Sequence, residues 1–429
     1  MRNDTVSESV SHPPAHLTKS IALRHAVALY VSSVLGSGVL VLPGLAAQIA
    51  GPASLIAWGI LSLASYPFAY TFASLSARRP ESGGIYTFAK ESFGRDIAVV
   101  TGWLFAFWYI TGGPAATLIA ASYLAYAFPM SRFGIFVAAA CVIILAYIIN
   151  YRGIVFSNRI QVAVVISIVM LLVLAVVLSG GSVSSRNFIP FFPNGLLPIG
   201  TAAALIFWSF LGYENVSNVA EEFENPQRDF QRSILLSVLL ISGLYLAVAF
   251  VTVGTLAYES GGSIAPFAAI FSNVLGSYAA VGTAVLAIVI IFATVNAYTA
   301  GMSRVILAVA RDGGLPKALD YIDPRSGTPT RSLTLLSGLS TFMLIVYYFL
   351  DVDLQTALLI PSGAAILVYI IGSGAGIRLL DGRGFKRSLP WLSLITSLAV
   401  LPFVGLLALG SILTGIAALG YSRMKSAAR

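Results

Sequence analysis

Long apolar blocks separated by short polar segments dominate the chain. Blocks near 26 to 50, 53 to 77, 97 to 128, 133 to 150, 160 to 180, 196 to 220, 233 to 257, 276 to 303, 332 to 350 and 354 to 377 approach or exceed the ~20 residues that cross hydrocarbon about 30 Å thick. A last block runs from Leu389 to Tyr421. As one helix it would extend roughly 50 Å, whereas two spans would each be short for a bilayer. Arg423, Lys425 and Arg429 follow it, and returning them to the cytoplasm favours two spans, twelve in all.

Two blocks carry interruptions. Gly36-Ser37-Gly38 lies in the stretch GSGVLVLPG inside the first, and paired glycines weaken a helix at a depth where lipid satisfies no freed backbone group. The sixth contains FWSFLGYEN at 207 to 215, where Gly212 is followed by the ionisable Glu214. Interrupted helices at corresponding places in two halves point to a midplane binding site of a secondary transporter. The first and sixth spans so divide the chain into candidate five-span repeats, 21 to 180 and 196 to 377, and an odd number of spans per unit inverts the second copy. A tail at 1 to 20, two peripheral helices at 389 to 422 and a tail at 423 to 429 complete the division.

Composition agrees. The chain has 429 residues, 58% hydrophobic and 10% charged, with mean hydropathy +0.89, which excludes a soluble enzyme with one buried core. With the N-terminus inside, only Arg132 and Arg186 of the 25 Lys and Arg fall outside, the asymmetry expected of cytoplasmic loops. The net charge of +8 is therefore explained by orientation and anionic lipid, without a nucleic-acid partner. Cys141 stands alone and His12, His16 and His25 precede or open the first span, so neither a disulfide framework nor metal-ligand spacing is present. No nucleophile-base constellation, phosphate-binding loop or cofactor motif occurs. Residues 1 to 20 are polar and lack the apolar core of a cleaved signal, which predicts a mobile cytoplasmic tail.

Two loops carry more than turn residues. ESGGIYTFAKESFG at 81 to 94 places Ile85, Phe88, Ala89 and Phe93 on one helical face, which predicts a short helix along the membrane surface. YESGGSIAPFAAIFSN at 258 to 273 offers a short outer lid.

Candidate site residues follow from the breaks. Gly36, Ser37 and Gly38 would offer amides at the start of a half-helix, where the dipole favours a substrate carboxylate; a glycine packing seam is the plainer alternative. Carbonyls at Ser33 and Val34, with those near Phe210 and Leu211, would receive an ammonium. Glu214 is the outstanding charge, since a carboxylate at the bilayer centre costs about 2.5 to 3.5 kcal/mol. It serves either proton exchange or as a fixed brace for unwound backbone. Aromatic residues crowd the third span, where Gly112-Gly113-Pro114 provides room, and Tyr109 or Thr111 lines the cavity. Thr294 and Asn296 suit a cation site or, more plainly, interhelical hydrogen bonds. Glu221, Glu222 and Glu224 with Arg228, Arg232 and Arg304 form either an inner gate network or a solvated loop.

These strings resemble the amino acid-polyamine-organocation superfamily over nearly the whole chain. GSGVLVLP is similar to its first broken helix, FWSFLGYEN running into AEEFENPQRDFQRS at 220 to 233 to its sixth, and SRVILAVARDGGLP at 303 to 316 to its span-eight ending. The resemblance implies an all-α membrane fold of twelve helices, a five-plus-five inverted repeat of LeuT-like type with helices one and six broken. It places Trp208 where related antiporters carry an aromatic residue that contacts and gates substrate. Some sodium-independent relatives use a lysine in span five, but here Arg159 is the last basic residue before the run 160 to 180, and the coupling ion stays open. VTGWLFAFWYITGGPAATLIAASY at 100 to 123 looks most like the methionine and branched-chain amino acid exporters, which implies a plasma-membrane carrier of neutral apolar amino acids needing no cofactor. Its expected partners are the amino acid, membrane lipid and a coupled proton; oligomeric state stays open. A basic amino acid or polyamine antiporter is the first alternative, and a nontransporting nutrient sensor on the same fold the second.

Overall fold

A computed structural model describes residues 27, 30, 31, 33–78, 84–153, 158–214, 226–259, 261–381 and 383–427. Helical positions 27, 30, 31, 33 and 34 lead into a break, after which α1 (Gly38–Ala50) resumes. There follow α2 (Ser54–Arg78), α3 (Ile85–Phe93), α4 (Arg95–Ala127), α5 (Arg132–Tyr151) and α6 (Asn158–Ser179). The second half comprises α7 (Leu197–Ile206), α8 (Pro226–Gly254), α9 (Pro266–Leu275), α10 (Tyr278–Arg311), α11 (Thr330–Phe349) and α12 (Leu354–Leu379), and α13 (Phe385–Val400) and α14 (Ala408–Ala427) end the chain.

Among the described residues, nine helical stretches are long and apolar enough to cross a membrane. Two of them, Gly38–Arg78 and Phe385–Lys425, are each a pair of helices. Gly51 at φ 60 with Pro52 in a 3-10 turn separates α1 from α2, and Gly405 at φ 66 inside Leu401–Leu407 separates α13 from α14. The final apolar block is thus two helices, beginning at Phe385, four residues before the block itself. The sixth block is shorter as helix than its apolar run, because α7 gives way to a 3-10 turn, Phe207–Phe210, and a turn to Glu214. The rest of that block, 215 to 220, lies outside the described residues. The eighth is longer, reaching Arg311.

The two longest helices, α4 with 33 residues and α10 with 34, pack against each other and form the centre, with α12 against α4. Their length, about 50 Å, exceeds the hydrocarbon thickness, so both are tilted or project beyond it. Large apolar side chains face outward on the flanking helices, as with Ile144 and Leu145 of α5, Phe342 and Ile345 of α11, and Leu413 and Ile416 of α14. Such a surface suits lipid and would drive association in water.

Both short loop elements form. At one end of the bundle α9 and the turn Gly262–Ile264 fold inward until the Ser263 carbonyl meets Gly44 of α1, where a Cβ would sit 2.4 Å from that oxygen. The short helix α3 buries Ile85, Phe88 and Ala89, with Phe93 half-buried beneath the Arg378 guanidinium, 4.7 Å from its ring centroid. The Asp312 carboxylate at the end of α10 accepts from Lys90 Nζ at 2.7 Å and Tyr86 Oη at 2.8 Å. Arg95 donates to the carbonyls of Asp312 and Gly313, placing a cation at a helix C-terminus, where the dipole favours it. Partial burial works against the Asp312 charge, but the hydrogen bonds from Lys90 and Tyr86 and the charges of Lys90 and Arg95 hold its carboxyl below the ordinary 3.8.

A carboxyl with a lowered folded-state pKa stabilises above its unfolded value and loses that contribution as pH falls through the folded one. The tie between α3 and α10 is therefore intact at neutral pH and released only below about 3.8. Asp312→Asn is expected to weaken the docking of α3 by about 1 kcal/mol. Amide exchange of residues 85 to 93 at neutral pH, compared with wild type, measures it as a roughly fivefold acceleration.

Candidate binding site between two interrupted helices

In the first break the chain leaves the helix at Leu35, whose amide still donates to Val31 at 2.8 Å, and the Gly36 amide turns to Val34 O at 2.8 Å. α1 then starts without a side-chain cap and with no acidic residue in its first turn, which leaves its first amides for another acceptor. In the second break Leu211 is extended and Gly212 adopts φ 123. That left-handed backbone favours glycine.

The two breaks touch. A Cβ on Gly212 would lie 2.2 Å from the Ser33 oxygen and 2.6 Å from its carbonyl carbon, so no larger residue fits at this crossing. Tyr245 of α8 crosslinks them, its hydroxyl lying 3.1 Å from Val34 O and 3.0 Å from Ser209 O. Glu214, only 4% exposed, folds back so that Oε2 accepts from the Gly212 amide at 2.8 Å and from the Tyr369 hydroxyl of α12 at 2.6 Å. Its Oε1 has no hydrogen-bond partner among the described residues.

Beside this crossing lies a cavity of about 60 Å³, room for several waters. Ser33, Gly36, Ser37 and Gly38 form one wall, and Trp208 with Leu211 the adjoining one. Trp208 is slotted between two glycines: a Cβ on Gly38 would lie 2.7 Å from its Cδ1, and one on Gly112 2.8 Å from its Cη2. The facing wall comes from α4 through Trp108, Tyr109, Gly112, Gly113 and Ala116. Thr294, Val295, Tyr298 and Met302 of α10 close it. None of these lining residues is charged.

Of the residues expected at the site, Ser33, Gly36, Ser37, Gly38, Tyr109, Trp208 and Leu211 line the cavity together. Val34, Phe210 and Thr111 do not. Val34 and Phe210 are buried behind it, and the Thr111 hydroxyl bonds the Phe107 carbonyl of its own helix. Glu214 also stands behind the wall, bound to the second break. Thr294 lines the cavity, while Asn296 accepts from Asn150 of α5 at 2.8 Å as an interhelical hydrogen bond. Glu221, Glu222 and Glu224 lie outside the described residues, as does the Arg228 side chain, and Arg304 donates to the Ala300 carbonyl. Among the described residues no group of His, Cys, Asp and Glu suited to a metal occurs.

Trp108 was read among the packing aromatics of the third span, and Ala116, Val295, Tyr298 and Met302 were not singled out by sequence. In the structure 108, 112 and 116 on α4 and 294, 298 and 302 on α10 recur every four residues, one face of each helix.

A family profile described as amino acid permease matches residues 21–425. This chain belongs to the amino acid permease family, within the amino acid-polyamine-organocation superfamily. An uncharacterized amino acid permease of Bacillus subtilis is 35% identical to it over 86% of this chain and 87% of the relative. The L-methionine/branched-chain amino acid exporter of Escherichia coli is 31% identical over 86% and 88%, and a branched-chain amino acid permease of B. subtilis 28% identical over 70% and 69%. The permease is thus a multi-pass helical membrane transporter of a family that carries small molecules, and its relatives are not enzymes.

Gly212→Ala is expected to reduce transport by the permease at least about a hundredfold, since the new methyl enters the Ser33 carbonyl. Gly243→Ala, with open space around its Cβ, serves as the control in the same flux assay. Tyr245→Phe, which leaves both carbonyls without the hydroxyl, is expected to cost about 1–3 kcal/mol of stability, read by thermal unfolding in detergent.

Proposed function

We propose that this permease is a secondary carrier that moves neutral, apolar amino acids, methionine, leucine, isoleucine and valine, across the plasma membrane by alternating access. What carries the reading is the cavity itself, whose polar face is backbone and serine at two breaks and whose other walls are aromatic, aliphatic and uncharged. The uncapped amides at Gly36, Ser37 and Gly38 suit the substrate carboxylate. Backbone carbonyls of Ser33 and Leu211, the two residues at the ends of the breaks that line the cavity, suit its ammonium. A guanidinium or second ammonium would find no carboxylate among the lining residues, which disfavours the basic amino acid and polyamine alternative. The names of the Escherichia coli exporter and the Bacillus branched-chain permease support the same substrate class.

In this reading the helix before the first break with α1 is span one, α7 with its unwound continuation is span six, and α13 and α14 are spans eleven and twelve. Residues 21 to 180 and 196 to 377 are the inverted repeats, with both termini cytoplasmic. Trp208 covers the substrate from its glycine slot. Glu214 couples the second break to protonation: Oε2 keeps the Gly212 amide and the Tyr369 hydroxyl while Oε1 is the position for a proton. Alternating access is reversible, so gradients set the direction of net movement.

Counterflow in proteoliposomes loaded with methionine, leucine, arginine or putrescine tests the substrate class. Exchange of methionine and leucine at rates at least about tenfold above arginine and putrescine is expected; the opposite order would reassign the permease to basic substrates, and silence from a folded preparation would favour a sensor. Glu214→Gln is expected to flatten the pH dependence of that flux. An unchanged pH profile would leave Glu214 as a brace only.

A further inference from the structure

The cavity is graded along its length. At the level of the first break it is lined by small residues packed around Trp208, and a Cβ on Gly36 would lie 3.6 Å from Thr294 Cγ2, which sets Thr294 of α10 at that level. Tyr298 and Met302 follow on the same face of α10, one and two turns further toward the cytoplasmic end, roughly 6 and 12 Å along the axis. On α4 the wall changes in the same direction from Gly112 and Gly113 to Trp108. Trp108 is fixed in place, stacked on Phe105 at 5.6 Å between centroids and met edge-on by Tyr298 at 6.2 Å.

Met302 is 6% exposed and lines this aromatic end. Side chains on a helix lean toward its N-terminus, so the Met302 thioether leans back along α10 toward Tyr298 and the break. Its unbranched chain is also more adaptable than the fixed rings around it.

We propose that Met302 is the residue that measures the substrate side chain. The main-chain end of the amino acid is held at the break, its side chain extends toward the cytoplasm between Trp108 and Tyr298, and the Met302 thioether stops it. This rests on the neutral amino acid reading and assigns within it the residue that sets length. An aliphatic or thioether side chain up to the size of methionine or leucine fits the interval, whereas a large aromatic side chain collides with the Met302 thioether.

The experiment is initial-rate transport of alanine, methionine and phenylalanine by wild-type and variant permease in proteoliposomes, each quoted as a ratio of kcat/KM. Met302→Ala is expected to raise phenylalanine relative to methionine by about tenfold or more, and Met302→Phe to lower methionine relative to alanine by a similar factor. Met302→Val, a milder change, gives the direction of the first shift if the alanine variant does not fold. Ratios within about twofold of wild type in folded, active variants would overturn the assignment while leaving the carrier reading intact. Wild-type silence toward all three amino acids would overturn both.

Discussion

Unwound backbone inside a bilayer has no solvent to fall back on, and this requirement organises the centre of the permease. Each freed amide and carbonyl must meet a protein group, a substrate or water held by protein. The two interruptions satisfy part of that need through each other. Gly212 passes directly over Ser33, Tyr245 ties the Val34 and Ser209 carbonyls, and Tyr369 and the Gly212 amide converge on Glu214. The remaining helices are placed so that α8 and α12 can deliver those two hydroxyls, while α4 and α10 supply the opposite wall.

The parts of this arrangement legible in sequence were those written in backbone chemistry. Gly38 and Gly212 mark positions where a side chain collides or the backbone turns left-handed, and the glycine content of the two stretches pointed to the breaks. The division of the terminal apolar block was legible differently, from its length and the basic residues that follow it, and the structure makes the bend at Gly405. The amphipathic face of α3 was legible because its four apolar positions share a helical period.

The far wall was not legible, for a physical reason. In a helix surrounded by lipid and other apolar helices every face is hydrophobic, so periodicity does not say which side looks into a cavity. Tyr109 and Thr111 are two residues apart and so lie on nearly opposite sides of α4; only Tyr109 reaches the cavity, where it hydrogen-bonds Thr299 of α10. Met302 and Tyr298 were similarly hidden among other apolar positions of a 34-residue helix. The ties between α3, Asp312 and Arg95 were hidden differently, since they join residues more than 200 positions apart.

The Tyr245 bridge has a consequence for both spans. A phenolic oxygen carries one hydrogen, yet here it stands nearly equidistant from an acceptor on each interrupted span. Rotation about the C–O bond hands that hydrogen from one span to the other, so the two carbonyls compete for it. The bridge is therefore degenerate: one hydroxyl serves an acceptor on either interrupted span, and whichever span holds the hydrogen, the other keeps an open carbonyl beside the same oxygen.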